Sequence, residues 1–150
     1  MYKAAIIYAS THHGSTRKLV EAIADKYEVV QIDTTNCQQA DLSGYDLIGF
    51  ASGIDFGRFY DSVEQFLKKN LPENKRIFFL YTCAKVSNRF TDSIKAAATQ
   101  KGAVVFGEYG CKGFNTYGPW KVIGGMNKGH PSADETSKAV HFYESLIESL

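Results

Sequence analysis

The chain has 150 residues, 44% of them hydrophobic and 22% charged, with a formal net charge of +1; one domain spanning 1–150 is expected, and bulk charge favours neither a nucleic-acid nor a membrane partner. No apolar run reaches membrane-spanning length, and the start MYKAAIIYAS is too short in apolar residues for a secretory signal and lacks a small-residue cleavage pattern. The three cysteines, Cys37, Cys83 and Cys111, form no C-x-x-C pair, so they point to neither a disulfide framework nor a zinc knuckle and fit a reducing cytoplasm.

KAAIIYA (3–9) is a nearly unbroken apolar run, the pattern of a strand covered on both faces. From Ser15 to Tyr27, residues Leu19, Ile23 and Tyr27 recur every four, with Val20 alongside, which predicts one face of a helix. YEVVQI (27–32) and YDLIGFAS (45–52) read as the second and third strands. A helix over 60–71 follows from Val63, Phe66, Leu67 and Leu71, with Pro72 as its stop. RIFFLYTC (76–83) is the fourth strand; Phe90, Ile94 and Ala97 mark a helix closed by Gly102; AVVFGEYG (103–110) is the fifth. The last helix opens with Ser132 and Glu135 at capping-box spacing, and its stripe is Val140, Tyr143, Leu146, Ile147 and Leu150. Strands alternating with helices in this way predict an open α/β sheet with helices on both faces.

Ligands of such sheets bind outside the carboxyl ends of the strands, so the loop after the first strand is the first place to look. Thr11, Ser15 and Thr16 offer hydroxyls there, Gly14 lets the backbone come close, and the helix that begins near Ser15 aims its unpaired N–H groups into the same space. These parts suit a monophosphate; the order matches neither G-x-x-x-x-G-K-S/T nor G-x-G-x-x-G. The plain alternative is a serine cap and a glycine-relieved turn. His12 and His13 are adjacent and have no further ligands nearby, so no metal site is expected.

THHGST (11–16) resembles the phosphate loop of the flavodoxin family, Ser/Thr-x-x-Gly-Asn/Ser-Thr. YDLIGFASGIDFG (45–57) is similar to the family's third strand and first flavin loop, and TCAKVSN (82–88) stands where the next flavin loop belongs. The resemblance implies a flavodoxin-like three-layer sandwich with a five-stranded parallel sheet in the order 2-1-3-4-5, one FMN, and redox chemistry at the flavin. By position, Thr11, His12, His13, Gly14, Ser15 and Thr16 would hold the phosphate. Ser52, Gly53 and Ile54 would follow the ribityl chain and a ring face; Asp55, Phe56 and Gly57 would border the ring edge. Thr82, Cys83 and Ala84 would meet the pyrimidine end through backbone groups. Phe56 and Phe59 can supply apolar surface, and Gly57 can let its peptide turn over at flavin N5. Cys83, at a buried strand end, is read as a small hydrophobe with no catalytic part.

Typical flavodoxins are markedly acidic and carry an aromatic residue in each flavin loop. This chain is near neutral, has Ile54 where the first aromatic belongs, and has no aromatic residue in 82–89. A second departure is residues 109–133, which hold six of the thirteen glycines and neither Asp nor Glu. A connection of about twenty residues between a strand and a helix usually carries function. Here it brings Lys112, Lys121, Lys128, His130 and the aromatics Phe114, Tyr117 and Trp120. The expectation is that the 111–131 loop covers the flavin, with Trp120 or Tyr117 in the aromatic role.

Three functions follow as expectations. The first is an FMN-dependent electron carrier serving redox partner proteins. The second is an FMN-dependent oxidoreductase acting on an anionic small-molecule or porphyrin-like substrate under that loop. The third is a non-redox phosphate-ligand binding module. A monomer or weak dimer is expected in each case.

Overall fold

The computed structural model describes residues 2–9, 14–113 and 129–150. Its elements in chain order are β1 (Ala4–Tyr8), α1 (Ser15–Ala24), β2 (Val30–Asp33), β3 (Leu47–Asp55), β4 (Arg58–Phe59), α2 (Asp61–Asn70), β5 (Arg76–Cys83), α3 (Asp92–Gln100), β6 (Val104–Lys112) and α4 (Ala133–Glu148). The sheet order is β2-β1-β3-β5-β6, every pair parallel, with β4 pairing only with β3 and antiparallel to it. Setting β4 aside, this is the 2-1-3-4-5 order of the flavodoxin-like sandwich.

The alternation of side chains along the central strands builds two cores from one sheet. Ile7, Ile48, Phe50, Ile77 and Phe79 face one way and meet Val63, Phe66 and Leu67 of α2 and Ile94 and Ala98 of α3. Ala4, Ile6, Leu47, Phe78 and Leu80 face the other way and meet Val20 and Ile23 of α1 and Val140, Tyr143 and Leu146 of α4. β1 is buried at all five positions because both faces are covered, which is why its sequence shows no polar alternation.

Boundaries move where tertiary pairing overrides local pattern. α1 stops at Ala24, short of Tyr27, whose ring lies 5.4 Å from that of Tyr143 and whose hydroxyl donates to Glu144. β2 begins at Val30 because residues 25–29 turn the chain back toward the sheet. β3 runs three residues beyond Ser52, continuing past the parallel sheet to pair with β4. β6 likewise runs to Lys112. Leu150 lies beyond α4 and is exposed, so the apolar stripe of that helix ends before it. Gly102, at φ 71°, closes α3 in the left-handed conformation expected of a glycine stop. The capping box of Ser132 and Glu135 is formed in both directions. Among the described residues no helix is long and apolar enough to cross a membrane.

The second core is closed against glycine. A Cβ built on Gly49 would stand 2.3 Å from Cζ of Phe78, a ring that is fully buried and packed edge-on against Phe142 and Tyr143. In an open strand Gly→Ala would stabilise by restricting the unfolded chain; here the clash wins. Gly49→Ala is expected to destabilise by about 1–3 kcal/mol, read as a lower urea midpoint with an unchanged slope.

Candidate functional site

Three loops leave the carboxyl edge of β1, β3 and β5, next to one another because these strands are neighbours. In the first, Thr11, His12 and His13 lie outside the described residues. Gly14 is described: it is the N-cap of α1 at φ 64° and ψ 21°, and among the described residues nothing stands within 4 Å of where its Cβ would be. A left-handed N-cap is a conformation that only glycine takes without cost. Ser15 and Thr16, the first residues of α1, are buried.

Thr16 and Thr82 face each other, their hydroxyls hydrogen-bonded at 2.9 Å in a buried setting. This contact joins the start of α1 to the end of β5. Gly113 packs into the same place: a Cβ there would meet Cβ of Thr82 at 2.9 Å and Cβ of Ser15 at 3.1 Å, and its N–H donates to the Cys83 carbonyl at 2.9 Å. The side chain of Cys83 and that of Cys111 are both buried, which pushes their thiols up to about 11 and about 12 respectively, Glu135 adding to both. Both are therefore protonated near neutral pH and inert as nucleophiles. The carbonyl of Cys83 is engaged by Gly113, and Ala84 is half-buried.

The second loop is a hairpin. Ile54 pairs with Phe59 and Asp55 with Arg58, and the two residues between, Phe56 at φ 52° and Gly57 at φ 75°, form the connecting turn. Two successive positive φ values are those of a type I′ turn, which matches strand twist but suits Gly or Asn and not a bulky aromatic. Phe56 is 96% exposed at the tip. Phe59 is not a surface aromatic: it is 1% exposed, edge-on to Phe79 at 5.7 Å and 6.2 Å from Tyr81 between ring centroids. The expectation that Phe59 offers a face to a flavin is corrected accordingly, since its pairing opposite Ile54 across the hairpin turns it into the core. Ser52 is fully buried, donating to the Gly53 carbonyl at 2.5 Å and accepting from the Tyr60 N–H at 2.9 Å, so it braces the hairpin from inside. Gly53 lies under the ring of Tyr60, whose Oη would stand 2.3 Å from a Cβ there. Ile54 is half-buried against the core; Asp55 and Gly57 are exposed.

Beneath the hairpin, Arg58 donates to Oε2 of Glu64, which also lies 3.3 Å from Nζ of Lys68. The Glu64 side chain is only 2% exposed. The third loop folds back over Tyr81, whose hydroxyl donates to the Ser87 carbonyl at 3.0 Å and whose ring meets Phe90 edge-on. Sequence reasoning passed over Tyr60, Glu64 and Gly113. Tyr60 carried a signal, an aromatic directly before a helix; the others act between elements and leave none.

Of the 111–131 loop, residues 114–128 lie outside the described residues, and with them Phe114, Tyr117, Lys121, Lys128 and the aromatic role assigned to Trp120. Its two stems are described, and one carboxylate holds both. Glu135 accepts from the Lys112 N–H at 3.2 Å through Oε2, and from the Ser132 N–H at 2.9 Å and the His130 ring through Oε1. Burial pulls its pKa up, but the Ser132 N–H, His130 and the Lys112 N–H together bring it below the usual glutamate range. Among the described residues no three His, Cys, Asp or Glu side chains are grouped to hold a metal ion.

Residues 5–112 match the family model described as Flavodoxin domain. An uncharacterized protein of Methanocaldococcus jannaschii is 36% identical over 149 residues, covering 98% of this chain and 99% of its own. Among solved structures, oxidised flavodoxin 1 of Bacillus cereus superposes with a TM-score of 0.71 at 18% identity, covering 99% of each chain. The apo form of an NADH:FMN oxidoreductase does so at 0.67 and 14% identity, covering 100% of this chain and 90% of its own.

Because the folded Glu135 ionises below its unfolded value, its contribution to stability is whole above the ordinary glutamate range and is lost as pH falls through the depressed one. Glu135→Gln lacks that contribution at every pH. The native chain is expected to melt above E135Q at neutral pH, and the gap to narrow as the solution is acidified past the glutamate range. A gap independent of pH would show that the charge of Glu135 is not what holds the stems.

Proposed function

The chain belongs to the flavodoxin domain family, and from that premise we propose that it binds FMN at the carboxyl edge of β1, β3 and β5 and serves as an electron carrier between redox partner proteins in the cytoplasm. The observation that carries this reading is the convergence of the segments after β1, β5 and β6 on one buried contact, Thr16 with Thr82, with Gly113 packed against it. The residues fit the group. Gly14 and Gly57 both have positive φ, and among the described residues nothing stands within 4 Å of their Cβ positions, which supports close approach of a ligand to the backbone at each.

Thr11, His12, His13, Gly14, Ser15 and Thr16 would hold the phosphate at the amino end of α1, where the helix dipole favours an anion. Gly53 and Ile54, braced by Ser52, would line the ribityl chain; Asp55, Phe56 and Gly57 would border the ring; Thr82, Cys83 and Ala84 would face its pyrimidine end, and Trp120 would cover it. When bound, FMN supplies reversible one- and two-electron chemistry, so no side chain needs to act as acid, base or nucleophile. The freedom of Gly57 lets the Phe56–Gly57 peptide present either its carbonyl or its N–H to the ring edge. The three free cysteines fit a reducing compartment.

A second reading, an FMN-dependent oxidoreductase of a small or porphyrin-like substrate, is favoured by the stems. Gly113 touches Ser15 and Thr82, and Glu135 holds Lys112 and His130 together. The chain between them thus begins and ends beside the site. Stepwise reductive titration separates the two readings: a carrier holds a single electron stably, and a two-electron enzyme does not.

The cofactor is tested by titrating the purified apoprotein with FMN and with riboflavin, following flavin fluorescence. FMN is expected to bind at least about 100-fold more tightly, roughly 2.7 kcal/mol assignable to the phosphate. Equal affinities would remove the phosphate site. A protein that takes up neither flavin would return the chain to the phosphate-ligand binding module.

A further inference from the structure

We propose that Glu64 is a positioning residue of the FMN site: through Arg58 it holds the Phe56–Gly57 turn in one conformation at the flavin ring edge. This rests on the FMN reading and adds a residue that acts on the cofactor only through the hairpin. The turn needs such a tie. Its φ values of 52° and 75° suit Gly or Asn at both positions, so Phe56 does not by itself specify the conformation it adopts. The hairpin has only two pairs, Ile54 with Phe59 and Asp55 with Arg58. Its base is fixed by the core, where Phe59 is buried and Ser52 accepts from the Tyr60 N–H. Beyond the base, Asp55, Phe56 and Gly57 are exposed. Arg58 is the tip residue whose side chain reaches the body of the protein, where it donates to Oε2 of Glu64.

Glu64 is an expensive choice for packing alone. Its side chain is 2% exposed, both cations sit at Oε2, and Oε1 is buried with no hydrogen-bond partner among the described residues. Replacing a buried ion pair by apolar side chains of similar volume is often neutral or stabilising, so stability does not account for a carboxylate here. What a carboxylate does, and leucine cannot, is fix the place of the guanidinium. The two residues are six positions apart, joined through Tyr60, the N-cap of α2. Their pairing makes the hairpin tip and the first turn of α2 one rigid corner. Lys68 serves as the control. It lies 3.3 Å from the same oxygen, but it belongs to α2 and has no link to the hairpin.

The test compares Arg58→Met, Glu64→Gln and Lys68→Met. Arg58 and Lys68 are half exposed, so their loss leaves the fold in place if Glu64→Gln does not. In the apoprotein, amide hydrogen exchange at residues 55–58 is expected to speed up at least about tenfold in the first two variants, with residues 47–51 of β3 unchanged. Lys68→Met is expected to stay within about twofold of the native chain, as an exposed pair contributes little. Affinity for riboflavin, which carries no phosphate, is expected to fall about tenfold in both Arg58→Met and Glu64→Gln, because the ring edge meets a turn that is no longer preorganised. Charge alone predicts the reverse for the flavin's midpoint potential: losing a cation and losing an anion shift it in opposite directions. A shared tether shifts it the same way in both. Opposite shifts, native flavin affinity in Arg58→Met, or a native tip that already exchanges at the free-peptide rate overturns the positioning role and leaves the FMN reading intact. A native chain that takes up no flavin overturns both.

Discussion

The segments that leave β1, β5 and β6 are tied together by two threonine hydroxyls that meet at 2.9 Å, sixty-six positions apart in the chain. Each is buried, so each needs the other: a hydroxyl left without a partner in such a place costs about 1–3 kcal/mol. The pairing fixes the first turn of α1 against the end of β5. Gly113 makes the constraint tighter, because the backbone leaving β6 passes so close to Thr82 and Ser15 that no Cβ fits. One contact therefore sets the relative positions of three loops that would otherwise be independent, and a shallow edge becomes a defined site.

The central strands make that precision affordable. β1, β3 and β5 are covered on both faces, and their side chains interlock with four helices in two cores. Against this rigid background the edge tolerates local conflict. Phe56 is held at positive φ by its hairpin; Ser52 gives up its hydroxyl to the backbone of Gly53 and Tyr60 from inside. Glu64 is buried with Oε1 unpartnered, yet its other oxygen binds Arg58 at the base of the same turn. Such violations of local preference gather at functional edges and not in the cores.

How far the sequence could be read follows from where each signal lies. β5 was legible to the residue, 76–83, because a buried parallel strand is an unbroken apolar run with polar bounds. The capping box at Ser132 was legible because both partners lie within one turn. β4 was not, since two residues carry no period and its pairing with β3 is set by the Phe56–Gly57 turn. Phe56 and Phe59 look alike in the sequence, three positions apart, and only the hairpin separates the 96% exposed tip from the 1% exposed core residue. The second role of Glu135 was hidden for a related reason. Its capping duty is local, but its hold on Lys112 and His130 is made across space, where no spacing rule reaches. The contact of Thr16 with Thr82 was hidden for the same reason, since it joins residues sixty-six positions apart.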